Sequence, residues 1–224
     1  MLVALLAVEG GNLVRPDLVV DALWPDRQPL NPGHNVATMV SRLRRRFGSG
    51  LVGGGRAGYR LGAGVRVDLH DASALVAKAE TGWVQRAPSL AFAAARRAVH
   101  VLSAGEVLDD EPNELWAEPA RARQRDLLRR ARHSLAQSAL VIGDSATAGA
   151  AAESAFTADP FDEAACRLLM RAYHARGEPV RALDAFHRLR AALADELGLD
   201  PSTATSELHV AILRGEALAS DHTV

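Results

Sequence analysis

The sequence is poor in cysteine and in aromatic residues, and each shortage excludes a class of protein. Cys166 is the only cysteine among 224 residues, so neither an intramolecular disulfide nor a multi-thiolate zinc site can form. This cysteine usage fits a reducing cytoplasm. Aromatic residues make up 4% of the chain and apolar residues 48%, which favours Ala, Leu and Val helix packing over an aromatic-rich β-sandwich. We therefore expect a largely helical cytoplasmic protein.

Long hydrophobic runs are also missing. No stretch approaches the ~18–20 uninterrupted apolar residues that a membrane-spanning helix needs. The opening MLVALLAVEGG has no basic region before its short apolar run and contains Glu9, so we do not interpret it as a signal peptide. No membrane partner is expected.

Patterns typical of catalytic or metal sites are not recognisable. The eight histidines show no HExxH motif and no pair at i, i+4. The glycines at 53–55 and 58 match neither phosphate-binding loop pattern, and the acidic run 109–111 is typical of a solvated loop. We therefore expect no enzyme activity, no catalytic residues, no cofactor and no metal site.

Charge is distributed unevenly along the chain. Residues 1–66 carry nine arginines against four acidic residues, a net charge of +5, whereas the remainder carries 17 basic against 23 acidic residues, a net charge of −6. A basic segment followed by an acidic one indicates two functions on one chain. We predict one domain at 1–66, a second at 67–214 and a flexible tail at 215–224.

Apolar periodicity and the positions of proline and glycine predict the secondary structure. Helices at 2–8, 16–24 and 33–47 precede a β-hairpin with strands near 51–52 and 59–61. Beyond residue 68 the pattern is almost wholly helical, with a break at Gly82, and the predicted helices are 70–80, 88–103, 117–143, 145–158, 162–176, 179–197 and 202–214. Ala148 and Ala182 lie 34 residues apart in two similar segments, and this spacing is the tetratricopeptide period.

The third predicted helix separates apolar from polar side chains. Four apolar residues spaced i, i+4, i+7 and i+11 share one face: Val36, Val40, Leu43 and Phe47. We expect this face to be buried against the second helix through Leu18, Val19, Ala22 and Leu23.

The opposite face of this helix carries amide, hydroxyl and guanidinium groups, which can read base edges or neutralise phosphates. We expect the arginines to supply most of the electrostatic attraction and the other side chains to discriminate between bases. The predicted DNA-binding residues of this helix are Asn35, Thr38, Met39, Ser41, Arg42, Arg45 and Arg46, with Arg44 at the border of the face.

The short second helix, the proline-rich turn and the glycine-rich hairpin surround this helix as in a helix-turn-helix with a wing. In the hairpin, Arg56 and Arg60 should hold the DNA backbone. Tyr59 has two interpretations, packing of the wing onto the third helix or a contact with a phosphate. We include it among the candidate DNA-binding residues. Trp24 is expected to pack in the core or the turn.

Three short motifs in this region, DALW (21–24), VSRLRR (40–45) and GYRL (58–61), resemble the winged-helix DNA-binding domain of the OmpR/PhoB type. More narrowly, they resemble the SARP family (Streptomyces antibiotic regulatory proteins). The remainder resembles the bacterial transcriptional activator domain through LLMRAYHARGEPVRALDAFHRLRAALADELGLDPS (168–202) and SELHVAIL (206–213). The fold class implied is mainly α, a winged helix-turn-helix followed by an all-α tetratricopeptide-like domain.

The resemblance also implies a function, which is sequence-specific regulation of transcription, most often activation. Members of the family bind double-stranded DNA at direct repeats near promoters, as two copies side by side, and contact RNA polymerase. The third helix would enter the major groove, and the wing would lie on the adjacent backbone or minor groove. The helical domain would supply contacts between protomers and to a ligand or partner.

The family's winged helix normally opens with a small antiparallel sheet, whereas MLVALLAVEGG resembles the middle of the first helix. We therefore expect a truncated winged helix in which four apolar residues are partly exposed: Leu2, Leu5, Leu6 and Val14. Apolar surface left in water costs ~25 cal/mol per Å², so this exposure would lower the stability of the domain. Two alternatives follow: a helical-repeat interaction module that has lost DNA binding, and a fragment of a larger regulator.

The segment 121–132 contains six arginines, which have two interpretations. They form either a solvated helix face with intrahelical ion pairs or a second surface for DNA or a partner. Cys166 falls on an apolar stripe and is expected to be buried and unreactive.

Overall fold

The structure, a computed structural model, describes residues 1–110 and 114–218. It divides into two compact units, which are described separately. The first comprises Met1–Ala72 and Val101–Asp126, and the second comprises Ser73–His100 and the described chain from Leu127 onward. These units are defined by packing, whereas the predicted domains are defined by sequence pattern. The predicted domain boundaries therefore stay predictions.

Three short helices and a β-hairpin open the first unit. The helices are α1 (Leu2–Val8), α2 (Pro16–Leu23) and α3 (Pro32–Phe47), and the antiparallel strands are β1 (Val52–Gly55) and β2 (Gly58–Leu61). Proline begins α2 and α3, where its fixed φ suits the first helical turn. The predicted elements are confirmed, and the strands extend further into the glycine run than expected.

The core of the first unit buries more apolar side chains than the sequence predicts. Backbone hydrogen bonds in both directions join Val14 to Tyr59, at 2.8 and 2.9 Å, and so attach the α1–α2 connection to the hairpin. Trp116, which lies in a 3₁₀ helix at Leu115–Ala117, packs against the same core. The expected exposure is therefore wrong, and the residues concerned are 0–4% exposed: Leu2, Leu5, Leu6 and Val14.

Two other apolar residues lie outside this core, contrary to expectation. Leu18 is 55% exposed because α2 packs through Val19, Val20 and Leu23, and at ~100° per residue Leu18 lies on the other side of the helix. Phe47 is 62% exposed, since α3 ends there, beyond the part of the helix that is buried.

The remaining helices follow the predicted order. They are α4 (Asp68–Val84), α5 (Pro88–Leu102), α6 (Glu118–Val141), α7 (Ser145–Ala158), α8 (Glu163–Ala175), α9 (Pro179–Leu197) and α10 (Thr203–Leu213). The predicted break at Gly82 is wrong, because this residue lies inside α4. A Cβ there would be 3.0 Å from the backbone nitrogen of Ala91, so glycine permits the close approach of α5.

Helical hairpins form most of the second unit. Helix α8 packs between α7 and α9, and α10 packs against α8 and α9. Ala148 and Ala182, the two residues that share the 34-residue period, are both fully buried. Cys166 is fully buried as expected, and burial raises the pKa of its thiol to about 12. The tetratricopeptide-like arrangement is confirmed.

The arginines of α6 have more specific partners than a solvated face would provide. Arg125 forms an intrahelical ion pair with Glu118 at 2.6 Å. Arg130, by contrast, pairs with Glu80 of α4 through two hydrogen bonds of 2.7 and 2.8 Å. Arg121 is 7% exposed. The solvated-face interpretation is therefore wrong for Arg121 and Arg130.

Two predictions fall partly on residues that the structure does not describe. Within the acidic run, 109 and 110 lie in an exposed turn and 111 is outside the described residues. Within the expected tail, Leu218 packs against the core of the second unit. Residues 219–224 lie outside the described residues.

Asp162 connects helices of the second unit. Its carboxylate accepts a hydrogen bond from the backbone N–H of Ala165 at 3.0 Å, at the start of α8, and lies 2.7 Å from Nε2 of His133 on α6. Burial raises the pKa of Asp162, but the hydrogen bonds from His133 and Ala165 outweigh it. The pKa therefore lies below the ordinary value of 3.8.

We expect Asp162→Asn to lower the free energy of unfolding by about 1 kcal/mol at pH 7, because the charge that favours these hydrogen bonds is lost. A depressed pKa in the folded state means that this stabilisation is complete above the unfolded pKa. It is lost as the pH falls through the folded value. Urea unfolding at pH 7 and at steps below pH 4 should show that the difference in unfolding free energy between the variant and the wild type narrows. The exposed Asp195→Asn is the control, and a pH-independent difference would contradict the assignment.

Candidate nucleic-acid interface

Helix α3 has one face fixed by the core. Val36 and Val40 are 0% and 2% exposed and belong to the core of the first unit, where α3 packs against α2. At ~100° per residue, the opposite face turns outward. The prediction that Val36 and Val40 lie on the buried face of this helix is thus confirmed.

The outward face contains most of the predicted DNA-binding residues of α3. Ser41, Arg42, Arg45 and Arg46 are exposed, and Asn35 and Thr38 are half-buried on the same side. His34, which the sequence analysis did not select, is exposed on this face one turn before Thr38. Its spacing of four and seven residues from Thr38 and Ser41 was the signal that could have identified it.

Two of the candidates are drawn into the core. Met39 is half-buried and packs against the core cluster of the first unit. Tyr59 is 7% exposed and lies in the same cluster, so the packing interpretation of this residue is confirmed and the structure does not bring its ring to the outward surface.

Arg44 holds the hairpin. Its Nε donates to the carbonyl oxygen of Val52 at 2.8 Å, and its Nη2 donates to that of Gly54 at 2.9 Å. Both acceptors belong to β1, so Arg44 points away from the outward face of α3. The structure therefore places this candidate between helix and hairpin, because its position on the helix wheel faces β1.

The hairpin carries two exposed arginines. Arg56 lies in the two-residue turn between the strands, and Arg60 lies on β2 opposite Gly53. A Cβ at Gly53 would be 3.5 Å from the Arg60 side chain, which extends across this glycine. Gly54 has a φ of +93°, and a Cβ there would lie 2.2 Å from the carbonyl oxygen of Gly58, so the tight turn requires glycine.

Acidic residues are absent from this part of the chain. Between Asp26 and Asp68 the sequence contains eight arginines and no Asp or Glu. The exposed arginines here accordingly have no acidic partner within residues 1–110 and 114–218: Arg42, Arg45, Arg46, Arg56 and Arg60. At the two ends of the region, Arg15 pairs with Asp17 and Arg66 with Asp71. Unpaired guanidinium groups therefore concentrate on α3 and the hairpin, which forms a surface suited to phosphate.

Comparison with known proteins identifies the family. Residues 67–213 match the family described as the bacterial transcriptional activator domain. The chain belongs to this family. The SARP resemblance predicted from the sequence motifs is confirmed.

The relatives of this bacterial transcriptional activator domain protein are regulators. It is 29% identical to the transcriptional regulatory protein MoaR1 of Mycobacterium tuberculosis over 94% of the chain and 70% of the relative. It is 33% identical to the regulatory protein AfsR of Streptomyces coelicolor over 96% of the chain and 22% of the relative. The role of this family member therefore lies in the regulation of transcription.

A solved structure supports the same fold. Mycobacterium tuberculosis EmbR in complex with a low-affinity phosphopeptide matches 97% of this chain at a TM-score of 0.76 and 27% identity. The match covers 59% of that chain, so this family member spans little more than half of EmbR.

The described residues offer no candidate for two other kinds of site. Among them, no group of three or more His, Cys, Asp or Glu side chains is arranged to hold a metal ion. In the same part of the chain, no helix is both long enough and apolar enough to cross a membrane.

We expect Arg44→Ala to destabilise the hairpin by about 1.5–3 kcal/mol, because two hydrogen bonds from a charged donor are removed. Amide hydrogen exchange of the β1 and β2 residues, together with urea unfolding, measures this loss. The neighbouring Arg45→Ala removes the same charge from an exposed position and should leave hairpin exchange unchanged. Equal effects of the two substitutions would refute the structural role of Arg44.

Proposed function

We propose that the chain is a sequence-specific DNA-binding regulator whose α3 enters the major groove. The observation that carries this proposal is the set of exposed arginines on α3 and the hairpin without acidic partners. Acids next to these groups would compete with phosphate, and the sequence has none between Asp26 and Asp68. The match to transcriptional regulators supports the same role.

Each part of the surface has a distinct role in this proposal. Arg42, Arg45 and Arg46 neutralise phosphates at the groove edge, and Arg56 and Arg60 hold the backbone next to it. Asn35, Thr38 and Ser41 are short polar side chains that can read base edges. Met39 offers a half-buried apolar contact at the edge of this face. Arg44, which donates hydrogen bonds to β1, and Tyr59, which is buried in the core, act by positioning.

The wider role proposed is that of a transcription activator in the cytoplasm. Two copies would bind side by side on direct repeats and contact RNA polymerase, as the family resemblance implies. The competing proposal is an interaction module without DNA binding, and DNA titration separates the two.

We expect the full chain to bind a pool of direct-repeat promoter duplexes with an affinity that falls as salt rises. Replacing Arg42, Arg45 and Arg46 by Ala should remove most of this binding and reduce the salt slope by ~0.9 for each phosphate that is no longer neutralised. Fluorescence anisotropy at two salt concentrations measures both effects.

The matched control is Lys78→Ala, Arg97→Ala and Arg190→Ala together, which removes three exposed cations from the second unit. This variant should bind as wild type does, because net charge alone is not the cause of binding. Absence of binding by the folded wild-type chain would favour the interaction module. An equal loss of DNA binding in both triple variants would mean that general positive charge, and not the α3 surface, causes the binding.

Thr38→Ala and Arg45→Ala should separate the recognition of bases from the electrostatic attraction to phosphates. Arg45 contacts phosphate in this proposal, so its loss should weaken binding to every duplex alike and flatten the salt dependence. Thr38 lies on the outward face, and in this proposal its hydroxyl reads base edges, so its loss should change the preference between duplexes by up to about 1 kcal/mol. Anisotropy on a panel of single-base variants distinguishes the two patterns, and uniform, salt-independent losses from both would refute this division.

A further inference from the structure

A cavity of about 350 Å³ lies within the first unit, apart from the α3 surface. It is bounded by α1, the start of α4, the end of α5 with the loop that follows it, and one residue of α6. No residue of α3 or the hairpin lines it. Its volume falls in the range of small-molecule sites. The apolar residues that line it include Ala4, Val8, Leu69, Leu102, Val107 and Leu108.

Two buried polar side chains of α6 fix the loop that forms one wall. The side-chain oxygen of Gln124 accepts from the backbone N–H of Val107 at 2.7 Å, and its Nε2 donates to the carbonyl oxygen of Gly105 at 2.6 Å. Arg121 donates to the carbonyl oxygens of Val107 and Leu108 at 3.2 and 3.3 Å. Both side chains are less than 9% exposed. The wall is therefore held in shape before any ligand arrives.

One residue of this loop has a strained backbone. Leu108 has a φ of +57°, in the left-handed region that is unfavourable for a non-glycine residue. The hydrogen bond from Arg121 to its carbonyl oxygen keeps it there, and its side chain lines the cavity. Strain of this kind persists where surrounding contacts hold it, often at ligand sites.

The charges around the cavity select the kind of ligand. Two carboxylates, Asp68 and Glu106, line it, and none of its lining residues is Arg, Lys or His. The Gln124 amide already bonds to the loop and to the carbonyl oxygen of Leu102. Glu106 lies 3.8 Å from the guanidinium of Arg125, which does not line the cavity. An anionic ligand would therefore meet two like charges and no lining cation, whereas a neutral or cationic one would meet compatible groups.

We propose that the first unit binds a small, compact apolar molecule with a neutral or cationic head group in this cavity. The apolar body lies against α1 and the loop, and the head group lies near Asp68 and Glu106. Binding here is independent of the DNA-binding proposal, since the two surfaces share no residue.

Three probes with the same apolar body and different head groups test the charge rule: adamantan-1-amine, adamantan-1-ol and adamantane-1-carboxylate. Titration of the full chain by calorimetry should give saturable binding of the amine and the alcohol, with the amine bound more tightly because of the two carboxylates. The carboxylate should bind at least about tenfold more weakly than either. Amide shifts in two-dimensional NMR should concentrate on α1 and residues 102–108. Absence of saturable binding, equal binding of the carboxylate, or shifts confined to other regions would overturn the proposal.

Two sets of substitutions locate the site. Ala4→Trp should fill the cavity and abolish binding, whereas Ala146→Trp, at an exposed position on α7, should not. Circular dichroism of each ligand-free variant checks that it folds. Asp68→Asn with Glu106→Gln should bring the amine and alcohol affinities within about twofold while alcohol binding persists. An unchanged affinity for the amine in the folded Ala4→Trp variant, or an unchanged amine preference in the double variant, would refute the site.

Discussion

Two backbone hydrogen bonds between Val14 and Tyr59 connect the start of the first unit to its hairpin and so close the core against which α3 packs. They hold the Tyr59 ring in the core cluster that also contains Val36 and Val40. Because these two residues define the inward side of α3, the direction of its outward side follows from helix geometry. Arg44 then attaches the back of α3 to β1, so helix and hairpin present one surface.

Arginine has opposite roles on the α3 and hairpin surface and in the second unit, and the supply of acidic residues decides which. In the second unit, Arg130 pairs with Glu80 and Arg188 with Glu153, so guanidinium groups join one helix to another. On α3 and the hairpin no acid is close in sequence, and the exposed arginines remain available to a polyanion. Composition alone cannot distinguish these roles, since the chain as a whole is almost neutral.

Helices and most of their inward faces followed from periodicity, because the spacing of apolar residues is a local property. Leu18 and Phe47 are the exceptions. The burial of Leu2 and Leu6 did not follow, since Trp116, which lies more than a hundred residues later in the sequence, helps to cover that core. The role of Arg44 was hidden for another reason. Arg42, Arg45 and Arg46 lie within two residues of it, and the position of β1 separates its role from theirs.

The buried thiol of Cys166 has a practical consequence. Burial leaves the thiol protonated near neutrality, so thiolate-directed reagents meet no nucleophile while the second unit stays folded. Because the chain has no second cysteine, any labelling must come from openings of α8 and its neighbours. The rate at which a thiol reagent modifies Cys166 would thus measure how often the helical repeat opens locally.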